Sequence, residues 1–177
     1  MHPEKIAGEF GVTEGMSIAD FGSGAGYFTI ILGRMAGEGG KIYALDIQET
    51  ALDNVRVKAR AAGVQNIETI RTNLEVAGSS GLPDNSQDMV LLANILFQSD
   101  KKSEIIREAK RVLKSGGKFH FTVPDFENLC KQFLAAEDNF IDFYKLTSSG
   151  EHWFGNGNRN INNRWGYLTA SFFGNQY

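Results

Sequence analysis

The chain has 177 residues, three histidines and a single cysteine, with 18 basic against 21 acidic side chains and a formal net charge of −3. That length suits one compact domain with a substantial core. The dispersed, nearly balanced charge speaks against a nucleic-acid partner or an anionic membrane surface, and lone Cys130 excludes an internal disulfide and a cysteine-rich metal site.

Strand-like and helix-like patterns alternate from about residue 17 to residue 123. The first apolar run, SIADF (17–21), passes through glycines 22, 24 and 26 into a helical pattern over 26–36, where Phe28, Ile31, Leu32 and Met35 share a face. KIYALDI (41–47) is the second strand candidate. The helix expected over 49–62 gathers Leu52, Val55, Ala59 and Ala62 on one side and stops at Gly63. IETIR (67–71) and DMVLLANI (88–95) follow, the latter almost uniformly apolar, as a strand buried on both faces should be. A third helix is expected over 101–114, with Ile105, Ala109, Val112 and Leu113 on its apolar face, Ser99 or Asp100 as its cap and SGG (115–117) as its stop. KFHFTV (118–123) is the fifth strand candidate.

This alternation implies right-handed βαβ crossovers and an α/β, Rossmann-like three-layer sandwich, a mostly parallel sheet with helices on both faces. The expected core is 1–123, and 124–177 is read as a helical or irregular C-terminal extension of the same domain. Phe126, Leu129, Cys130, Phe133 and Leu134 have helical spacing. HWFGNGNRNINNRWGYLTASFFGNQY is read either as an irregular cap or as a short strand pair around 165–173. No run approaches the ~18 apolar residues of a membrane span, and MHPEKIAGEF has no apolar stretch long enough for a signal peptide, so a cytoplasmic protein is expected.

The glycines between a strand and a helix let a ligand approach the backbone, or else they merely make a tight turn. A dinucleotide fingerprint fits poorly. Read from Gly22 or from Gly24, the last position of G-x-G-x-x-G falls on Tyr27 or Thr29, where a small residue is needed. A P-loop is missing its Lys-Ser/Thr pair.

ADFGSGAGYFTI resembles the first motif of class I S-adenosylmethionine-dependent methyltransferases, an acid followed by G-x-G-x-G. IYALDI is similar to the second motif and RTNLE (71–75) to the third. LPDNSQDMVLLANILFQ and EAKRVLKSGGKFHFTV resemble the fourth-strand and fifth-strand segments of the ubiquinone/menaquinone-type branch, so that the likeness covers roughly residues 4–123. The resemblance implies methyl transfer from S-adenosylmethionine to a small molecule, leaving S-adenosylhomocysteine. It also implies a cofactor site built from Asp20, Gly22, Ser23, Gly24, Gly26, Tyr27, Asp46, Ile47, Asn73, Leu74, Asn94 and Ile95, with no metal.

Within that site Asp20 would meet the cofactor's ammonium group and Asp46 the ribose diol. Ile47 and Leu74 would flank the adenine, Asn73 would reach its edge, and Asn94 and Ile95 would lie beside the methyl group. Asp125 and His152 are the candidate bases, if the acceptor must lose a proton. His120, between Phe119 and Phe121, reads as a packed residue, and the segment around Trp153, Arg159, Arg164 and Trp165 as a substrate lid or a cover for the sheet. The family ends in a sixth and an antiparallel seventh strand; only 54 residues follow Val123, without a clear strand pair. A sheet short of that pair leaves an edge, or a C-terminal face, for homodimer formation. A non-catalytic or oligomerising cofactor-binding fold and an NAD-dependent oxidoreductase are the competing readings.

Overall fold

The computed structural model describes residues 7–123 and 166–171. Its sheet has the order β3-β2-β1-β4-β5-β6, formed by β1 Ser17–Phe21, β2 Lys41–Asp46, β3 Ile67–Arg71, β4 Gln87–Ala93, β5 Leu113–Val123 and β6 Gly166–Ser171. The first five strands are parallel and β6 runs antiparallel to β5, with Val123 opposite Gly166. The expected shortfall in the sheet is therefore partial: an antiparallel strand covers the β5 edge, and no strand lies beyond it among the described residues.

The side-chain alternation of the central strands sorts the helices into two layers. Ile18, Ile42, Met89 and Leu91 point to one face, where α1 (Thr29–Ala36) contributes Leu32 and Ala36. On that face α2 (Glu49–Ala61) packs Leu52 and Val55 against Ala44. The opposite face, carrying Ala19, Phe21, Leu45, Val90 and Leu92, receives Ile105, Ile106, Ala109 and Val112 of α3 (Lys102–Val112). β1 and β4 lie at the centre and are buried almost throughout, whereas β3, at the rim, alternates partly buried positions with exposed Glu68 and Arg71.

Element edges differ from the sequence expectation for local reasons. The first helix begins at Thr29 rather than 26, because Gly22, Gly24 and Gly26 all have positive φ, which a right-handed helix does not accommodate. β5 begins at Leu113, since the SGG turn is taken up as a bulge: pairing jumps from Gln87–Leu113 to Met89–Lys118. The capping expectation for α3 is also corrected. Ser99 Oγ accepts the N–H of Lys101, the residue just before the helix, at 2.9 Å, and no side chain caps the helix itself.

His120 is a core residue. It is 1% exposed, and its ring lies 4.7 Å from that of Phe10. Burial, aided by the charge of Lys118 and opposed by a backbone hydrogen bond with Phe10, lowers its pKa from 6.5 to about 4. The unfolded chain then binds the proton more tightly, so the neutral ring's contribution is complete above 6.5 and is lost as pH falls toward 4. In chemical unfolding across that window, wild type should lose on the order of 3 kcal/mol relative to His120→Phe; parallel pH curves would refute the assignment.

Candidate functional site

The carboxyl ends of β1, β2, β3 and β4 share one edge of the sheet, and strand order reverses there between β1 and β4. In open α/β sheets that reversal forms a crevice suited to ligands. Three of the four exposed large apolar side chains among the described residues stand in the loops that follow β1, β2 and β3: Tyr27 at 54%, Ile47 at 56% and Val76 at 53%. Val76 was not singled out in the sequence, where it carries no motif signal.

The glycine loop after β1 is bound to the end of β2. The N–H groups of Gly22 and Ser23 both donate to the Leu45 carbonyl, at 2.8 and 3.0 Å, and the Gly24 N–H donates to Asp46 Oδ2 at 2.8 Å. Gly26 N–H turns inward to the Ser23 carbonyl at 3.0 Å. These donors are committed to the protein, so the loop is not the open nest of N–H groups that a phosphate needs. Asp46 holds a second N–H, from Gln48, through Oδ1 at 2.9 Å. Each carboxylate oxygen thus has one donor and one further lone pair to offer.

The glycines differ in purpose. A Cβ at Gly22 would stand 2.7 Å from Ile95 Cδ1, and one at Gly26 would stand 3.0 Å from Val55 Cγ2. At Gly24 a Cβ would meet nothing within 4 Å. Two glycines therefore serve close packing across the loop, and only Gly24 faces open space. From α2, Lys58 Nζ donates to the Ala25 carbonyl at 2.6 Å and steadies the loop's outer turn. Its exposed, lysine-on-a-helix setting left no mark in the sequence.

Beneath the loop, Asp20 is 2% exposed and accepts the Thr29 hydroxyl at 2.6 Å, tying the end of β1 to the first turn of α1. Burial pushes its pKa to about 6, with Thr29 pulling down and the charge of Asp46 adding to the rise. Ser23 Oγ is buried in the same loop and makes no hydrogen bond among the described residues.

The third and fourth loops complete the edge. Asn73 Oδ1 accepts the Glu75 N–H at 3.0 Å, which leaves its Nδ2 as a donor for other partners. Leu74 is 4% exposed and belongs to the core, so of the two side chains expected to flank a base only Ile47 has area to give. The local turn after β3 sends Leu74 inward. Asn94 follows β4 in the left-handed region, at φ 62°, and its carbonyl accepts Gln98 Nε2 at 2.7 Å. That corner lays Ile95 over Gly22. Asp125, His152 and the other C-terminal candidates lie outside the described residues.

Comparison with known proteins adds relatives to this geometry. A family model described as a methyltransferase domain matches residues 12–166. The ubiquinone/menaquinone biosynthesis C-methyltransferase UbiE of Escherichia fergusonii is 35% identical over 129 residues, covering 71% of this chain and 50% of that protein. The enzyme of the same name from Cronobacter sakazakii is 34% identical over 145 residues, covering 80% and 55%. The chain thus spans about half the length of the curated relatives it matches. A crystal structure of a SAM-dependent methyltransferase from Aquifex aeolicus superposes with a TM-score of 0.61 at 33% identity, covering 68% of this chain and 62% of that one.

Two measurements check this geometry. In urea unfolding, Gly24→Ala is expected to cost about 1–2 kcal/mol for its left-handed backbone alone, while Gly22→Ala adds about 1–3 kcal/mol of overpacking against Ile95; equal losses would contradict the division of roles. The folded state holds the Asp20 proton more tightly than the unfolded chain, so this group's contribution is complete below 3.8 and is lost as pH rises through about 6. Wild type should therefore lose stability relative to Asp20→Asn between those limits, and a flat difference would show that Asp20 is not the buried group described.

Proposed function

Because the chain belongs to the methyltransferase-domain family, we propose that it binds S-adenosylmethionine and passes the sulfonium methyl group to a small-molecule acceptor. The observation that carries this reading is the Asp46 carboxylate, fixed by the N–H groups of Gly24 and Gln48 with a lone pair on each oxygen directed elsewhere. Such a group suits a vicinal diol, which supplies two hydroxyl donors. The committed N–H groups of the glycine loop and the acidic side chain of Asp20 beneath it both argue against a pyrophosphate. A nucleoside ligand without phosphate meets these conditions, and an NAD-dependent reading does not.

The remaining roles follow from chemistry. Gly24 offers the open backbone past which the ligand lies, Ile47 and Val76 offer apolar surface for a base, and Asn73 offers Nδ2 to its edge. Asp20 supplies negative charge, and Ser23 a buried hydroxyl still able to bond, at the amino-acid end. Ile95 and Tyr27 border the methyl end. S-adenosylmethionine brings an already activated methyl donor, so the protein's task is to hold the acceptor close and in line. The curated relatives are C-methyltransferases of quinone biosynthesis, which supports an acceptor of small-molecule size.

Calorimetric titration with S-adenosylhomocysteine tests the reading. Micromolar affinity is expected, and no heat at millimolar ligand would end it. Asp46→Ala, checked for folding by its melting temperature, should weaken binding by at least about a hundredfold, since two charge-assisted bonds worth ~1.5–3 kcal/mol each are lost.

A further inference from the structure

The loop joining β3 to β4 is tied down by a carboxylate that stands outside the site. Glu108, on α3, is 2% exposed and accepts the Gly78 N–H at 2.8 Å and the Ser80 N–H at 3.1 Å. The Ser80 hydroxyl donates to the same carboxylate, and Arg111 closes its other side through Nε at 3.0 Å and Nη2 at 2.7 Å. Burial by itself would raise the Glu108 pKa; the hydrogen bonds from Arg111, Ser80 and the two backbone N–H groups overcome it and hold the pKa at about 2. The clamp is therefore ionised at any pH near neutrality.

Ser79 stands between the two N–H groups that Glu108 grips. Its hydroxyl donates to the Asn73 carbonyl at 2.7 Å, and its own carbonyl accepts the Thr72 hydroxyl at 2.6 Å. The Val76 N–H also donates to the Asn73 carbonyl, at 3.2 Å. Glu108 thus fixes the backbone on both sides of Ser79, whose hydroxyl in turn bonds to the backbone of Asn73. Seating α3 does not call for this clamp, because Ile105, Ile106, Ala109 and Val112 already bury the helix against the sheet. Apart from Arg111, the donors to Glu108 all belong to the loop.

We propose that Glu108 is a positioning residue for the nucleoside end of the site, acting through Ser79 to hold Asn73 against the base edge. The inference rests on the S-adenosylmethionine reading above. It assigns to a side chain remote from the ligand a share of base discrimination that Asp46, anchored on β2, does not carry.

The test compares S-adenosylhomocysteine with S-inosylhomocysteine by calorimetry, using wild type, Glu108→Gln, Ser79→Ala, Asn73→Ala and the Glu108→Gln/Asn73→Ala double variant. Glu108→Gln should weaken the adenosyl ligand about tenfold and the inosyl ligand less, narrowing the ratio between them, and it should add nothing in the Asn73→Ala background. Ser79→Ala removes one hydroxyl, leaves the Glu108–Arg111 pair intact and should narrow the ratio a fewfold; it decides the matter if Glu108→Gln does not fold. Equal weakening of both ligands, or a penalty that adds fully to that of Asn73→Ala, would overturn the proposal even with lowered melting temperatures. A folded wild type that binds neither ligand overturns the functional reading and this inference together. Wild-type binding abolished by Asp46→Ala, with the ratio unmoved in Glu108→Gln and Ser79→Ala, overturns this inference alone.

Discussion

The bond between the Asp46 carboxylate and the Gly24 N–H decides what kind of site this sheet edge carries. It joins the loop after β1 to the end of β2 at 2.8 Å, while the neighbouring N–H groups of Gly22 and Ser23 go to the Leu45 carbonyl. A glycine loop with its N–H groups turned toward solvent would attract phosphate through many partial positive charges. Here the same backbone donors orient a carboxylate instead. The sign of the site is inverted: it offers fixed acceptors to hydroxyl and ammonium donors.

Around that bond, three of the four loops of the site are each steadied by a side chain from a different helix or turn. Lys58 of α2 holds the Ala25 carbonyl, Gln98 of the 3₁₀ turn Leu96–Gln98 holds the Asn94 carbonyl, and Glu108 of α3 holds the N–H groups of Gly78 and Ser80. The helices consequently do more than cover the sheet. Their apolar faces seat them, and single polar groups on or beside those faces set the geometry of the loops at the sheet's edge. Glu108 performs this role while 2% exposed, at the cost of a desolvation that its five hydrogen-bond donors offset.

Much of the scaffold was legible because it follows from periodicity. SIADF and IETIR gave their strands with correct limits, and the near-uniform MVLLANI run gave the centre of the sheet. What escaped depends on contacts distant in sequence. Whether Gly22 serves a ligand or a neighbour is decided by Ile95, more than 70 positions away, and Gly26 by Val55. Leu74 follows a motif in sequence but is drawn into the core by the turn that carries it. Glu108 did leave a trace. It falls on the helix face defined by Ile105, Ala109 and Val112, where an acid must be paired or pay heavily for burial. The C-terminal candidates Asp125 and His152 lie beyond the described residues.

The contact between Gly22 and Ile95 has a further consequence for redesign. Ile95 lies two residues past β4, where the proposed reading puts the methyl group, yet its side chain fills the space that a Cβ on the glycine loop would occupy. Enlarging position 95 presses on the loop that Asp46 fixes, and shrinking it leaves that loop unsupported on one side. On the proposed reading, acceptor scope and donor binding are mechanically coupled through one pair of residues, and a library that varies position 95 alone selects for loop tolerance as much as for new acceptors.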